Sequence, residues 1–341
     1  MHRLLVTCTA VVAASLLAVP SAAAASFDLS KASSTGMGGV SPFAIPIDAN
    51  TDRVFHSAGE AGGWLMSECT VGGSCTNTAL SPEFGSDYTQ VTLSDGSLRA
   101  YFVNPGADGS KEITTARVEY VNGQPILSAV TGLGITATAE QRAWGVPDSV
   151  VMPDGRVRLY WVEDGVDSNF EPTNAQRSCL VKALGMKKAA ELARGKGLTK
   201  KARKAMQRCD IPSSAFSRSR SNEVIVSATS TDASGTSFVQ DPGYRMTGGY
   251  VDSDVIQARN GDWIALVSTG PGDPPQRLFV ATSKDGLSWK VGAKPLTASS
   301  FNALDPTAVQ IGANKWRVYY AKSPKKTPFA NHEIVVGTLT R

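Results

Sequence analysis

Five copies of one strand–turn–strand pattern run through this chain, and a repeat of that kind leaves few folds open. One copy reads Asp87-Tyr-Thr-Gln-Val, a Ser94-Asp95-Gly96 turn, then Leu-Arg-Ala-Tyr-Phe. The next reads Pro147-Asp148-Ser-Val-Val, Pro153-Asp154-Gly155, Val-Arg-Leu-Tyr-Trp. Two more start at Asp252-Ser-Asp254 and Asp305-Pro-Thr307 and turn at Asn260-Gly261 and Ala313-Asn314. A degenerate copy, Ser41-Pro-Phe-Ala-Ile with a turn at Ala49-Asn50, precedes them. Alternating apolar residues on either side of an Asp, Asn or Gly turn form a β-hairpin. Hairpins recurring at roughly fifty residues predict a radial array of small sheets.

A third strand follows each hairpin: Gly63-Trp-Leu-Met, Lys111-Glu-Ile-Thr, Asn222-Glu-Val-Ile, Arg277-Leu-Phe-Val and His332-Glu-Ile-Val. Two copies continue alike, Ser230-Thr-Asp232 to Phe238 and Ser283-Lys-Asp285 to Trp289, each a tight turn followed by an aromatic that plugs the gap between sheets. The expected fold is all-β, a five-bladed propeller over residues 26–341. The last copy ends after its third strand, which would leave the ring with an open edge. The segment Ser26–Ser33 is therefore expected to supply the missing outer strand.

The first 25 residues read as a secretory signal: His2 and Arg3, an apolar run from Leu4 to Leu17, and small residues Ala22 to Ala25 at the cleavage site. The mature protein is expected to be secreted, and no later stretch approaches the ~20 apolar residues of a membrane span. Cleavage removes Cys8 and leaves Cys69, Cys75, Cys179 and Cys209, which in an exported chain suggest two disulfides. Local pairing, Cys69 with Cys75 and Cys179 with Cys209, is favoured among the three formal possibilities. A structural metal is not expected, because the chain has three histidines and no Cys-x-x-Cys pair.

One segment breaks the repeat. The turns at Asp154 and Asn260 are 106 residues apart, against 59 and 54 for their neighbours. Within the surplus, residues 176–210, Leu180, Val181, Leu184 and Leu192 recur near helical spacing, Arg194-Gly-Lys-Gly197 breaks the helix, and Thr199 caps a second one running to Arg208. This predicts a helical hairpin in the third blade, stapled by Cys179–Cys209. The stretch from Arg177 to Arg208 holds eleven basic residues and one acidic residue, Glu191. The whole chain is +4, but outside this segment and Arg3 it has 22 basic and 29 acidic residues, a net of −7. The positive balance is thus local: either a clamp for an anionic polymer or a solvated helical face. No nucleic-acid-binding motif is present, and no aromatics interleave the basic run.

In a propeller the first strand of each blade lines the central channel, so the repeat delivers Asp87 and Thr89, Asp148, Asp252 and Asp254, and Asp305 and Thr307 to one place. Carboxyl groups crowded round an axis repel, which raises some of their pKa values and readies one as an acid while another stays charged. Glycoside cleavage needs that arrangement. Asp148, Asp254 and Asp305 are the candidate catalytic residues; Asp87, Asp252, Trp144, Tyr88 and Arg142 are candidates for holding substrate. The structural alternative is that these Asp residues cap turns or tie neighbouring blades together. No cofactor is expected, although so many carboxylates suit a calcium ion in the axial channel. His56, at the end of an alternating strand, reads as a structural residue.

The motifs Pro147-Asp-Ser-Val-Val, Asp252-Ser-Asp-Val-Ile, Asp305-Pro-Thr-Ala-Val and Ser283-Lys-Asp-Gly-Leu-Ser-Trp resemble the five-bladed propellers of glycoside hydrolase families 32 and 43, and more loosely the Asp-box repeats of sialidases. The resemblance implies carbohydrate as substrate, an Asp general base in the first blade and a catalytic Glu on a later one. Here the first-blade segment is Ser41-Pro-Phe-Ala-Ile, without a carboxylate, and the Glu candidate is Glu171 in a loop. A sialidase would add an arginine triad, for which Arg142 is the candidate. The expected function is that of a secreted carbohydrate-active protein, hydrolysing glycosidic bonds with axial carboxylates. The alternative is a non-catalytic propeller that binds glycan, an anionic cell-envelope polymer or a protein. The expected form is a monomer, with no nucleic acid as partner.

Overall fold

The computed structural model describes residues 26–59, 62–106, 110–137, 143–164, 173–193, 199–209, 211, 223–271, 274–327 and 330–341. Two short strands come first, β1 (Asp28–Leu29) and β2 (Ser33–Gly38). Blade 1 follows as β3 (Phe43–Pro46), β4 (Thr51–Ser57), β5 (Trp64–Thr70) and β6 (Cys75–Ala79). Blade 2 is β7 (Ser86–Thr92), β8 (Leu98–Pro105), β9 (Lys111–Val121) and β10 (Gln124–Thr136). Blade 3 is β11 (Ala143–Val151), β12 (Val157–Asp164), β13 (Glu223–Ser230) and β14 (Phe238–Gln240). Blade 4 is β15 (Tyr250–Gln257), β16 (Trp263–Thr269), β17 (Leu278–Ser283) and β18 (Trp289–Val291). Blade 5 joins β19 (Phe301–Gly312), β20 (Lys315–Pro324) and β21 (Glu333–Thr340) to β1 and β2.

The strands of each blade pair antiparallel in chain order, so every turn joins neighbours. The edge of blade 5 is closed from the start of the chain: Asp28 and Leu29 pair with Thr340 and Leu339, and Ser33 to Gly38 pair with Val336 to Glu333. The closing segment is longer than the expected Ser26–Ser33, because β2 continues to Gly38 before the chain enters blade 1.

Apolar faces of successive blades meet in separate clusters, one per junction. Phe55 and Met66 meet Phe102 and Val118; Tyr101 and Val91 meet Leu159 and Trp161. Ile225 and Tyr160 meet Trp263 and Ala265, Leu266 and Ile264 meet Trp316 and Val318, and Tyr319 and Ile334 meet Val54 and Met37. The tight turns act as plugs, as their sequences suggest. Tyr101 Oη donates to Gly235 O at 2.8 Å and Tyr160 Oη to Gly286 O at 2.8 Å, with Phe238 and Trp289 edge-on to the same tyrosines. Both glycines have left-handed φ, +63° and +69°, and a Cβ there would lie within 3 Å of the tyrosine hydroxyl. Only glycine meets both demands. At the junction of blades 5 and 1, the Arg317 guanidinium and the Tyr319 hydroxyl both donate to the fully buried Asp52 carboxylate.

The helical insertion joins β12 to β13, inside blade 3. It consists of α1 (Asn174–Leu184), α2 (Met186–Ala193) and α3 (Lys200–Arg208). The first expected helix is two helices. Gly185 ends α1 with φ +82° and its N–H donates to Val181 O, so the chain turns there before α2 begins. Thr199 caps α3, its side chain accepting from Ala202 N. The expected break at Arg194–Gly197 lies outside the described residues. Leu180, Leu192, Ala205 and Met206 form a separate small core beside the Cys179–Cys209 disulfide. The other disulfide, Cys69–Cys75, links directly paired residues of β5 and β6.

Candidate functional site

At the hub, each blade contributes one residue in the left-handed backbone region, none of them glycine: Ser41, Asp87, Val146, Asp252 and Asp305, with φ between +48° and +54°. In blades 2 to 5 these residues fall where the pairing between first and second strands shifts register, between Ser86 and Thr89, Gly145 and Asp148, Val251 and Asp254, and Leu304 and Thr307. Each is therefore part of a bulge that bends the first strand at the axis. A left-handed backbone costs an L-residue roughly 1–2 kcal/mol and is rarest for a β-branched side chain such as Val146. Five repetitions of that cost at one place mark the site, since strain of this kind clusters where function requires it.

All five line one axial cavity of about 40 Å³, room for a few water-sized groups. They form its upper tier. Two residues further along each strand is a lower tier: Phe43, Thr89, Asp148, Asp254 and Thr307. The sequence reading named Asp148 as the one polar channel-facing residue of its blade and did not single out Val146. The structure corrects this: Asp148 pairs with Tyr160 as Thr89 pairs with Tyr101 and Thr307 with Tyr319, so Val146 holds the upper place in blade 3. The prolines carried the signal, because Pro42, Pro147 and Pro306 each follow the upper-tier residue.

In both tiers carboxyls accept from the neighbouring blade. In the lower tier, Asp148 Oδ2 accepts from Val255 N of the next blade at 2.6 Å and Oδ1 accepts from Thr89 Oγ1 at 3.4 Å. Asp254 accepts from Ala308 N at 3.0 Å and Thr307 Oγ1 at 3.2 Å, and Thr307 Oγ1 accepts in turn from Ala44 N at 3.2 Å. Each of these side chains holds a backbone N–H of the following blade, the tie between neighbours considered from sequence. Burial, and for Asp148 also the charge of Asp254, pushes both carboxyls up, Asp148 well above the ordinary range and Asp254 to about 7.

The upper tier is an arc. Asp252 accepts from Ser268 Oγ and, at 3.4 Å, from Asp305 N. Asp305 Oδ2 accepts from Ser41 N at 2.9 Å, and Ser41 Oγ donates to Asp87 Oδ1 at 2.8 Å. Val146 interrupts the ring between Asp87 and Asp252. Burial and the neighbouring Asp305 charge push Asp252 well up; burial, with the charge of Asp87, raises Asp305 to about 6. One carboxyl that keeps its proton thus faces others in a shared cavity, the setting for proton transfer.

The remaining candidates fare differently. Tyr88 borders the axial cavity but is packed as a core residue: its ring stacks on Phe55 with centroids 4.6 Å apart, its hydroxyl donates to Gln90, and it is 4% exposed. Trp144 is half-buried and does not line the cavity; Lys111 Nζ lies 6.0 Å from its ring centre. Arg142 and Glu171 lie outside the described residues. His56 is buried, with Nδ1 donating to Ser57 O at 2.8 Å and Nε2 2.7 Å from Ser67 Oγ, and burial lowers its pKa. The calcium expectation finds no support in this geometry: among the described residues no group of three or more His, Cys, Asp or Glu is arranged to hold a metal.

No protein-family model matches the chain, and no curated protein sequence matches it. Solved structures do match. A thermostable family-43 glycoside hydrolase superposes with a TM-score of 0.55 at 11% identity, covering 88% of each chain. An endo-arabinase from Bacteroides thetaiotaomicron gives 0.55 at 9% identity over 92% of this chain and 97% of its own. An endo-1,4-beta-xylanase from the same organism gives 0.51 at 10% identity over 90% and 92%. At such identities the likeness establishes the fold alone, a five-bladed propeller. Among the described residues no helix is long and apolar enough to cross a membrane.

Proposed function

We propose that this chain is an exported carbohydrate-active protein that hydrolyses a glycosidic bond at the mouth of its axial channel. The upper tier carries the reading: three carboxyl groups and a serine, turned into one cavity by strained backbone, in a propeller of glycoside-hydrolase type. Asp252 is the proton donor to the leaving oxygen, since burial and Asp305 keep it protonated. Asp87, across the ring and oriented by Ser41 Oγ, is the base that activates water. Asp305 is a positioning residue whose charge holds the proton on Asp252. The cavity has room for the reacting oxygen and the attacking water, while the sugar ring rests above it. Asp148 and Asp254, the pair favoured from sequence, are assigned to the ring in this reading, each buried and holding both a next-blade N–H and a threonine hydroxyl.

Arabinan and xylan are the first polysaccharides to test, together with aryl glycosides, because an endo-arabinase and a xylanase share the fold. Turnover is expected, and Asp252→Asn is expected to lower it by about 10²–10⁴-fold, the usual worth of a general acid. Asp305→Asn should shift the alkaline limb of the pH–rate profile downward, because Asp252 then loses its proton more easily. A second reading, glycan binding without cleavage, is favoured by one observation: Ser41 and Val146 bring no carboxylate to two of the five upper positions. Saturable polysaccharide binding with no turnover on any substrate would establish that reading and remove the first.

A further inference from the structure

We infer that the helical insertion is a docking surface for a linear acidic polysaccharide. Its exposed lysines and Arg208 are placed where most of them bring no visible gain to the described helices. Lys200, Lys204 and Arg208 follow one another at four-residue spacing along α3, all exposed, and like charges so placed on a helix repel. Lys200 and Lys201 also occupy the first turn of α3, where the helix dipole disfavours positive charge and no acidic residue offsets them. Lys187 and Lys188 of α2 are exposed as well, and among the described residues no ion pair involves any of these six. The helices are held from within by Leu180, Leu192 and Met206 and by the disulfide, so the surface is rigid and its charge is free to serve a partner. A local rule broken twice on one helix, with no structural return, points to function.

The chemistry of the surface selects the occupant. No aromatic residue occurs between Thr173 and Ile211, so unpaired bases have nothing to stack on. Apart from Met186, the large apolar side chains described there are turned inward, which leaves no face to enter a lipid bilayer. Lysine dominates, a point charge without the fixed fork of arginine, which suits carboxylates spaced along a flexible polymer. The rest of the chain, at a net of −7, repels such a polymer and directs it to this one region. The inference goes beyond the axial reaction and stands without it.

The test is binding of polygalacturonate to the full chain at 50 and 200 mM NaCl, with neutral arabinan as control. Wild-type affinity for polygalacturonate is expected to fall about tenfold or more across that salt range. The variant K200Q/K201Q/K204Q/R208Q should bind at least tenfold more weakly at low salt, with an unchanged or higher melting temperature and unaltered behaviour toward arabinan. Asp252→Asn should bind polygalacturonate normally, which separates this surface from the axial site. Equal binding by the quadruple variant overturns the inference. So does tighter binding of duplex DNA than of polygalacturonate, or a salt-sensitive dimer that the four substitutions abolish, since each assigns the surface to a different partner.

Discussion

The two tiers of the hub lie two residues apart on the same strands and share a residue type, and they differ in exposure: Asp87 and Asp305 are half-buried, Asp148 and Asp254 buried. Below, Asp148 and Asp254 accept from the backbone of the next blade, and their oxygens are fully engaged. Above, Asp252 and Asp305 also accept backbone N–H groups of the next blade, Asp305 N and Ser41 N, while Asp87 accepts from Ser41 Oγ.

The largest effect that can break this contrast is catalytic. Asn at 252 is expected to remove about 10²–10⁴-fold of the turnover, whereas Asn at 254, which still accepts from Ala308 N, should leave turnover within a few-fold of wild type. Comparable losses at both positions would merge the tiers. Next comes stability. Asp148→Ala leaves Val255 N–H buried without its acceptor and is expected to cost about 1–3 kcal/mol in urea unfolding, and Asp305→Ala, which strips the half-buried Ser41 N–H of its acceptor, is expected to cost less. A smaller effect is the pH dependence. Asp254 holds its proton to about pH 7 in the fold, while an unfolded Asp releases it near 3.9. The native state therefore binds more protons between those values, so this contribution is complete below about pH 4 and is lost as pH rises toward 7. Thermal melts of Asp254→Asn should show a flatter profile over that window; an unchanged slope would contradict the raised value. Smallest is backbone relief at the upper tier. Val146→Asn, which tolerates a left-handed backbone better, is expected to raise stability by up to about 1 kcal/mol, read as a higher melting temperature.

Much of this molecule is legible in its residues because each blade repeats the same local signals. The hairpin turns, the third strands and the plugs at Gly235 and Gly286 follow from spacing and turn chemistry alone. The hub was legible as a set of polar strand leaders but not as two tiers. Asp148 stood alone in its copy of the repeat, so its place level with Thr89 rather than with Asp87 was not visible. The bulges that shift the register arise from packing five strands round one axis, which no single segment reveals. Tyr88 misled for a related reason: alternation along a strand places a ring on one face or the other, and a bulge reverses the expectation. In the insertion, Gly185 was visible as a weak point, but whether a helix bends or ends there depends on what its apolar stripe packs against.

Blade 5 draws its strands from both ends of the polypeptide: Thr35 Oγ1 donates to Ile334 O across 299 positions. A nascent chain leaving the ribosome thus releases β1 and β2 long before their partner exists, and can complete four blades while the wheel still gapes. Last-formed contacts of such long span are slow to find. Loosening either end would unzip both, and the axial acids would then meet water from the side as well as from above.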